Sequence, residues 1–227
     1  MTHPLWPLFD LRLRTGDLEL RLPTEDDLVD IIAVARAGVH PAEEMPFATP
    51  WTDLPSPEFE RSAYQFMIGR RASWRVDDWA LPLGVWESGE AAGIQELMAR
   101  NFSAMRMVGT GSWLGRAFQG RGVGTLMRQA VLALAFDHLG AEVAESEALL
   151  DNPASLAVSR GVGYSENGIG RHAPRGIPRD TQRFRMTLEG WRSRPRPEVG
   201  VEGLDRCLEL FGIPRARPAQ SEDARGS

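Results

Sequence analysis

Lysine is absent from all 227 residues, so each of the 26 basic residues is an arginine, a bias better ascribed to a GC-rich genome than to a need for guanidinium chemistry. Cysteine is nearly absent. Cys207 stands alone, which excludes an internal disulfide and any cysteine-cluster metal site and makes a reducing cytoplasm the expected location. No run approaches the roughly 20 apolar residues a membrane span needs. Met1-Thr2-His3-Pro4 lacks the basic stretch and apolar run of a secretion signal. The four histidines, His3, His40, His138 and His172, are dispersed without metal-ligand spacing, so no metal is expected. A net charge of −5 argues against a general nucleic-acid binder and is weakly compatible with a cationic acceptor. What remains is ordinary for a soluble globular chain: 42% hydrophobic and 25% charged residues.

Two short alternating strands, Leu11–Arg14 and Leu18–Leu22, meet at Gly16-Asp17. Thr24 then caps a helix whose first turn holds Glu25, Asp26 and Asp27, and whose apolar stripe is Leu28, Ile31, Ile32 and Ala35. Residues 38–57 are rich in proline and carry Phe47 and Trp51, which predicts an irregular functional loop. Ser56-Pro57 reads as a cap with proline at the first helical position, opening a helix to about Trp74. Leu81–Trp86, Ala92–Met98 and Met105–Leu114 are spaced as an antiparallel meander. Val123, Leu126, Met127, Ala130, Val131, Leu134 and Ala135 form the clearest amphipathic helix, stopped by Gly140. Glu142–Leu150 reads as a strand, Ser155–Arg160 as a short helix and Thr181–Leu188 as a last strand. Residues 214–227 have the composition of a disordered segment. The class is mixed α/β, with a domain over 1–190 and an extension over 191–227 that holds a short helix near 203–211.

Between the meander and the long helix lies Gly111-Ser112-Trp113-Leu114-Gly115-Arg116-Ala117-Phe118-Gln119-Gly120-Arg121-Gly122-Val123-Gly124-Thr125. Glycines at 120, 122 and 124 let successive N–H groups converge without a Cβ in the way. The helix beginning near Val123 adds its unpaired amides and positive dipole end, which together suit a pyrophosphate. Arg116 and Arg121 are placed to add charge. A tight turn with no ligand fits the same local pattern. The Gly-Lys-Ser/Thr ending of a P-loop is missing, and the spacing differs from a dinucleotide fold, so a nucleotide-binding module ranks low.

Gln119-Gly120-Arg121-Gly122-Val123-Gly124 resembles the Gln/Arg-x-x-Gly-x-Gly/Ala signature of the GNAT superfamily of N-acetyltransferases. Asp151-Asn152-Pro153-Ala154-Ser155 with Val158-Ser159-Arg160-Gly161-Val162-Gly163-Tyr164 resembles the Asn-x-x-Ser … Gly-Tyr/Phe segment of its RimJ/RimL-type branch, and Trp113-Leu114 suits that branch's fourth strand. The resemblance spans about residues 12–190. Asp78-Trp79-Ala80-Leu81-Pro82-Leu83 and the two motifs are also similar to an actinobacterial subgroup for which succinyl-CoA is a candidate donor.

The resemblance implies a mostly antiparallel sheet splayed between strands 4 and 5 with flanking helices. It also implies a donor site for acetyl-CoA or succinyl-CoA and an amine acceptor, with no nucleic-acid or membrane partner and a homodimer as default. Leu114, Gly115 and Arg116 would meet the pantetheine arm through backbone. Gln119, Gly120, Arg121, Gly122, Val123, Gly124 and Thr125 would wrap the pyrophosphate, and Asn152 would lie beside the pantetheine.

Acyl transfer to an amine needs an uncharged amine, a polarised thioester and a proton for the departing thiolate, but no Cys or Ser nucleophile. Cys207 therefore reads as a buried small side chain. Two hydroxyls compete as the acid: Ser155, at the Asn-x-x-Ser position that resembling proteins place near the thiol, and Ser159, where many superfamily members carry Tyr. Each also fits a helix cap or lining. Glu147 is the leading base, since it stands five residues before Asn152, where the resemblance implies the catalytic Glu that some N-terminal acetyltransferases of the superfamily carry. Glu145 on the same strand face, Glu96, and water alone stay open. Trp51, Trp74 and Trp79 are candidates for an acceptor wall, although core packing fits them equally. Arg171, Arg175 and Arg179 form a basic loop that the resemblance puts near the acceptor end, either for a carboxylate such as succinyl or simply solvated. A non-catalytic acyl-CoA-binding protein is the competing reading.

Overall fold

A computed structural model describes residues 3–214, so the expectation for residues 214–227 falls, Pro214 aside, outside the described residues. The alternating N-terminal segment forms a hairpin, Arg12–Thr15 (β1) with Leu18–Arg21 (β2), which turns at Gly16 with φ +55° and buries Leu13, Thr15, Leu18 and Leu20. Thr24 caps Glu25–Ala37 (α1) reciprocally. Its hydroxyl accepts the Asp27 N–H at 3.2 Å, and its own N–H donates to the Asp27 carboxylate at 2.8 Å. Arg21 grips the same carboxylate through two bonds of 2.5 and 2.7 Å, tying the helix start to β2.

The second helix, Glu58–Ala72 (α2), departs from the reading of its ends. Pro57 occupies the cap position, and the Ser56 hydroxyl donates to the Glu60 carboxylate instead of capping backbone. Trp74 lies beyond the helix because its ring stacks on Trp79 at 5.7 Å and its indole N–H donates to the Leu210 carbonyl. The meander is Asp78–Glu87 (β3), Glu90–Arg100 (β4) and Met107–Leu114 (β5), all antiparallel. A short helix, Phe102–Met105 (α3), delays β5 by two residues, flanked by left-handed Asn101 and Arg106. The apolar stripe becomes Val123–Ala133 (α4), which widens into a π turn over Leu134–His138 before Gly140.

Then come Val143–Leu149 (β6), Pro153–Val162 (α5), Ser165–His172 (β7), Arg179–Thr187 (β8), Leu188–Arg192 (α6) and Gly200–Glu202 (β9). The strand β7 was not anticipated. Its sequence is polar and glycine-containing, and it exists through its ladder with β8, with a register shift between Glu166 and Ile169. The described residues form one nine-stranded sheet in the order β7-β8-β6-β5-β4-β3-β2-β1-β9. A large core packs α4 against one face, while α1 and α2 bury Leu28, Ile31, Ile32, Phe59 and Met67 on the other. Cover on both faces explains why β3 is buried along nearly its whole length. Beyond residue 191, β9 extends the sheet beside β1, and Cys207 and Phe211 enter the core with 0% exposure. Among the described residues no helix is long and apolar enough to cross a membrane.

The one parallel junction positions the site. β5 and β6 pair only through Met107–Gly109 with Val143–Glu145, then diverge. Counting the N-terminal hairpin as two strands makes the splayed pair the fifth and sixth, rather than the fourth and fifth.

Candidate active site

The cleft in this split has a volume of about 660 Å³ and is lined by β5, the glycine turn, α4, β6, α5 and the 38–48 segment. Gly120 and Gly122 have φ of +71° and +85°, and a Cβ on either would meet nothing within 4 Å. Gly122 is the cap residue of α4 and brings no side chain to its amides, which leaves the helix N-terminus facing the cleft bare. Gly124 serves packing instead: a Cβ there would lie 3.4 Å from Val158 and 3.7 Å from Leu114. Val123 is buried beneath the turn, and the Thr125 N–H closes back onto the Gly122 carbonyl at 3.0 Å.

Several expected donor contacts are occupied within the chain. The Gly115 N–H donates to Ala92 and the Arg116 N–H to Gly38, at 2.9 and 3.0 Å. Gln119 donates through its amide to the carbonyls of Val39 and Leu114, both at 2.8 Å, so its side chain pins the 38–48 segment to the end of β5. Arg121 pairs with Glu87 at 3.0 Å, and Arg116 lines a separate cavity beside Arg36 and His40. In an antiparallel ladder, backbone groups alternate between the partner and the opposite side. Since Gly115 bonds to Ala92, the groups of Ser112 and Leu114 point away from β4 toward the split. The strand edge that faces the split is therefore the backbone of Ser112 and the Leu114 N–H, the Leu114 carbonyl being held by Gln119, rather than Gly115 and Arg116.

Of the two candidate acids, one reaches the cleft. Asn152 caps α5 by accepting the Ser155 N–H at 3.1 Å, which leaves the Ser155 hydroxyl uncommitted on the cleft wall. Ser159 is fully buried, its oxygen has no partner, and it does not line the cleft, which corrects its candidacy. Glu147 lines the cleft and is held by the Thr181 hydroxyl, by His172 at 3.3 Å and by Arg183 at 3.8 Å. Burial pushes its carboxyl up, but the bonds from Thr181 and His172 and the charges of His172 and Arg183 outweigh it, so the pKa lies below the ordinary value. Glu145 pairs loosely with Arg185 at 3.9 Å and does not line the cleft. Glu96 also lies outside the cleft, against α2, where it pairs with Arg70; burial pushes its carboxyl up and Arg70 only partly opposes this.

The 38–57 segment forms the far wall. Trp51 packs on Phe47, Phe59 and Trp113, and Phe47 and Trp113 reach the cleft. Trp74 and Trp79 belong to the core with Phe211 and take no part in this wall. Asp53 receives both arms of Arg175 at 2.6 Å, joining this wall to the β7–β8 turn. Arg171 and Arg179 are strand residues of β7 and β8, and they face Asp180 and Asp151. All three arginines offered for a carboxylate already hold one.

Sequence reasoning missed Arg128. The residue is 3% exposed and lines the cleft. It donates to Gln95 on β4 at 3.3 Å, Ser146 on β6 at 2.9 Å and Ser112 on β5 at 3.0 Å. The buried Tyr164 hydroxyl lies 3.3 Å from that of Thr110, and the charge of Arg128 partly opposes the rise that burial gives its phenol pKa. The available signal was its position: four residues after Gly124 and three before Val131, on the stripe that packs against the sheet.

The acetyltransferase (GNAT) domain family matches residues 17–165. Among solved structures, RimJ of Mycobacterium smegmatis with a CoA disulfide is similar at 22% identity, covering 89% of this chain and 95% of that one with a TM-score of 0.69. RimL, a ribosomal alpha-N-protein acetyltransferase with coenzyme A, is similar at 18% identity, covering 79% and 99%, with a TM-score of 0.61. The microcin self-immunity acetyltransferase MccE, with acetyl-CoA and AMP, is similar at 18% identity, covering 76% and 93%, with a TM-score of 0.59.

Proposed function

The chain belongs to the GNAT acetyltransferase domain family, and from that premise we propose that it is an N-acyltransferase acting from a CoA thioester, acetyl or succinyl, onto a primary amine. The observation that supports this most is one cleft holding both an uncapped helix N-terminus with two open positive-φ glycines and a strand edge, Ser112 and the Leu114 N–H, that pairs with no neighbouring strand. The first suits a pyrophosphate and the second an amide-bearing arm. Asn152, Ser155 and Leu114 line the path between them.

In the proposed reaction the amine nitrogen attacks the thioester carbonyl carbon. The new C–N bond replaces the C–S bond, sulfur leaves with the electron pair, and one amine proton is given up as the thiolate gains one. Glu147 accepts the amine's proton directly or through water, and Ser155 hydrogen-bonds the departing sulfur. The acceptor is a small-molecule amine, a lysine or a protein N-terminus; the name of the RimL relative supports the last. We place the reaction in the cytoplasm, from the single cysteine, and expect a homodimer, following the resemblance. One observation favours a non-catalytic acyl-CoA-binding protein instead: the position where many relatives carry Tyr holds Ser159, sealed in the core. Steady thiol release with an amine panel decides between the two.

Calorimetric titration with CoA and its thioesters tests the donor site. Saturable binding is expected, and Gly122→Val should weaken it roughly 10-fold or more, because a β-branched residue resists the left-handed backbone and its side chain enters the anion cradle. Absence of binding by every CoA species would sink the reading, and an unchanged affinity in the variant would displace the pyrophosphate from the turn.

A further inference from the structure

Acyl transfer places negative charge on the thioester oxygen as the amine adds, a charge that Glu147, as proton acceptor, and Ser155, beside the sulfur, do not meet. Arg128 is the only charged residue that is buried among the described residues, and it forms no ion pair with any of them. A buried guanidinium is costly to desolvate unless an opposite charge compensates it. Its hydrogen-bond partners, Gln95, Ser112 and Ser146, are neutral. The nearby Tyr164 phenol stays protonated, because burial raises its pKa more than the charge of Arg128 lowers it. An anion formed only during the reaction would supply the counter-charge that the resting cleft lacks.

The guanidinium is held at three points. Nε donates to Gln95 on β4, Nη2 to Ser112 on β5 and Nη1 to Ser146 on β6, at 3.3, 3.0 and 2.9 Å. The Gln95 amide donates to the carbonyls of Glu96 and Gly111, at 3.1 and 3.0 Å, which turns its oxygen toward Arg128. Dipoles fixed in this way before a substrate arrives cost no reorganisation during the reaction. Within this network Ser112 is the member on the strand edge that faces the split, and it lines the cleft. Its oxygen accepts from Arg128, so its hydrogen is turned elsewhere, and none of the described residues accepts it.

The two faces of the sheet divide the chemistry. Val108 and Leu114 share a core with α4, so Ser112, alternating with them along β5, lies on the α4 face. On β6 the successive residues Ser146 and Glu147 point to opposite faces, which puts Glu147 across the sheet from Arg128. An amine deprotonated at Glu147 attacks from that far side. The substituents of a carbonyl carbon bend away from its attacker, and the oxygen is carried toward Ser112, where a stabilising donor has to stand.

We propose that the Ser112 hydroxyl donates to the thioester oxygen as a catalytic residue, and that Arg128 is the positioning residue that aims this hydroxyl and strengthens it as a donor. This rests on the CoA reading above and adds the group that polarises the thioester. As the amine nitrogen adds to the carbonyl carbon, the C=O electron pair moves onto oxygen, and it returns as the C–S bond breaks. Ser112 keeps its proton throughout, and its hydrogen bond strengthens as the oxygen gains charge.

Isotope-edited infrared spectroscopy of acetyl-CoA labelled with ¹³C at the carbonyl, or of succinyl-CoA labelled at its thioester if that binds more tightly, reads the polarisation without an amine. The carbonyl stretch of the bound thioester should fall below that of the free one. Ser112→Ala should return it toward the free value while donor affinity changes by no more than about 10-fold, the range of one ordinary hydrogen bond. Ser112→Thr, which keeps the hydroxyl, should keep the lowered stretch, and Arg128→Met should lose most of it. With an amine that supports turnover, Ser112→Ala should lower kcat by roughly 10²-fold, the lower end for loss of one oxyanion donor. A stretch unshifted in wild-type protein, or lowered equally in Ser112→Ala, overturns the inference and leaves the CoA site intact. The second of these gives the carbonyl to the Ser112 backbone N–H and makes Arg128 a strut across the split. If Arg128→Met does not fold, the Ser112 variants still decide. No binding by any CoA species removes both this inference and the reading beneath it.

Discussion

Glu147 shows how a residue legible in sequence acquires its chemistry from residues that are not. Its candidacy came from the resemblance, through its place five residues before Asn152, but its state is set by Thr181 and His172, which arrive from β8 and β7. Burial raises its carboxyl pKa, but these bonds and the charges of His172 and Arg183 outweigh it and hold the pKa below the ordinary carboxylate value. The base form is therefore present above that depressed value and is lost only as pH falls through it. An acid limb near neutrality should not come from Glu147, and protonation of the amine substrate should set it instead. Glu147→Gln should lower kcat by roughly 10²-fold with donor affinity preserved, as for loss of a general base; a variant with unchanged kcat would leave water as the proton acceptor. Arg128 was harder to see. Nothing local distinguishes it from a solvated helix arginine, because the residues that enclose it lie 16 to 33 positions away.

At the scale of elements, the legible parts were those specified by neighbours in sequence. The Thr24 cap, the α4 stripe and the positive-φ glycines are local patterns, and they appear where the residues predict them. The strand β7 is specified by its partner. Ser165–His172 shows no alternation and is mostly exposed, and it becomes a strand because β8 offers it a ladder. The same limit hid the role of Arg175, whose partner Asp53 lies 122 residues earlier. That pair is partly exposed, so Asp53→Ala should change stability by less than about 1 kcal/mol. It should raise the KM for the amine, because the 38–57 wall loses its tie to the β7–β8 turn, while CoA affinity stays as in wild type. An unchanged amine KM would show that the tie does not shape the acceptor side.

At the scale of the whole molecule, the C-terminal segment enters the core rather than trailing from it. The Phe211 ring lies 5.0 Å from Trp79 and 5.5 Å from Trp74, centroid to centroid, with β9 laid along β1. Phe211→Ala should cost about 3–5 kcal/mol in denaturant unfolding, the range for an emptied aromatic site in a core. A loss below about 1 kcal/mol would mean the segment rests on the domain without supporting it. The sequence placed a short helix near 203–211 but could not say what it covers, because its partners, Trp74 and Trp79, lie in the first half of the chain.

The short parallel junction has a mechanical meaning. Three residue pairs join the β9–β1–β2–β3–β4–β5 block to the β6–β8–β7 block, and beyond them the Thr110 hydroxyl, which donates to the Glu145 carbonyl, and Arg128 with its serines bridge the gap. A ligand lying along Ser112 and Leu114 would act as a temporary strand and suture two half-sheets into one. Each turnover would then tighten and loosen the same seam that holds the molecule together.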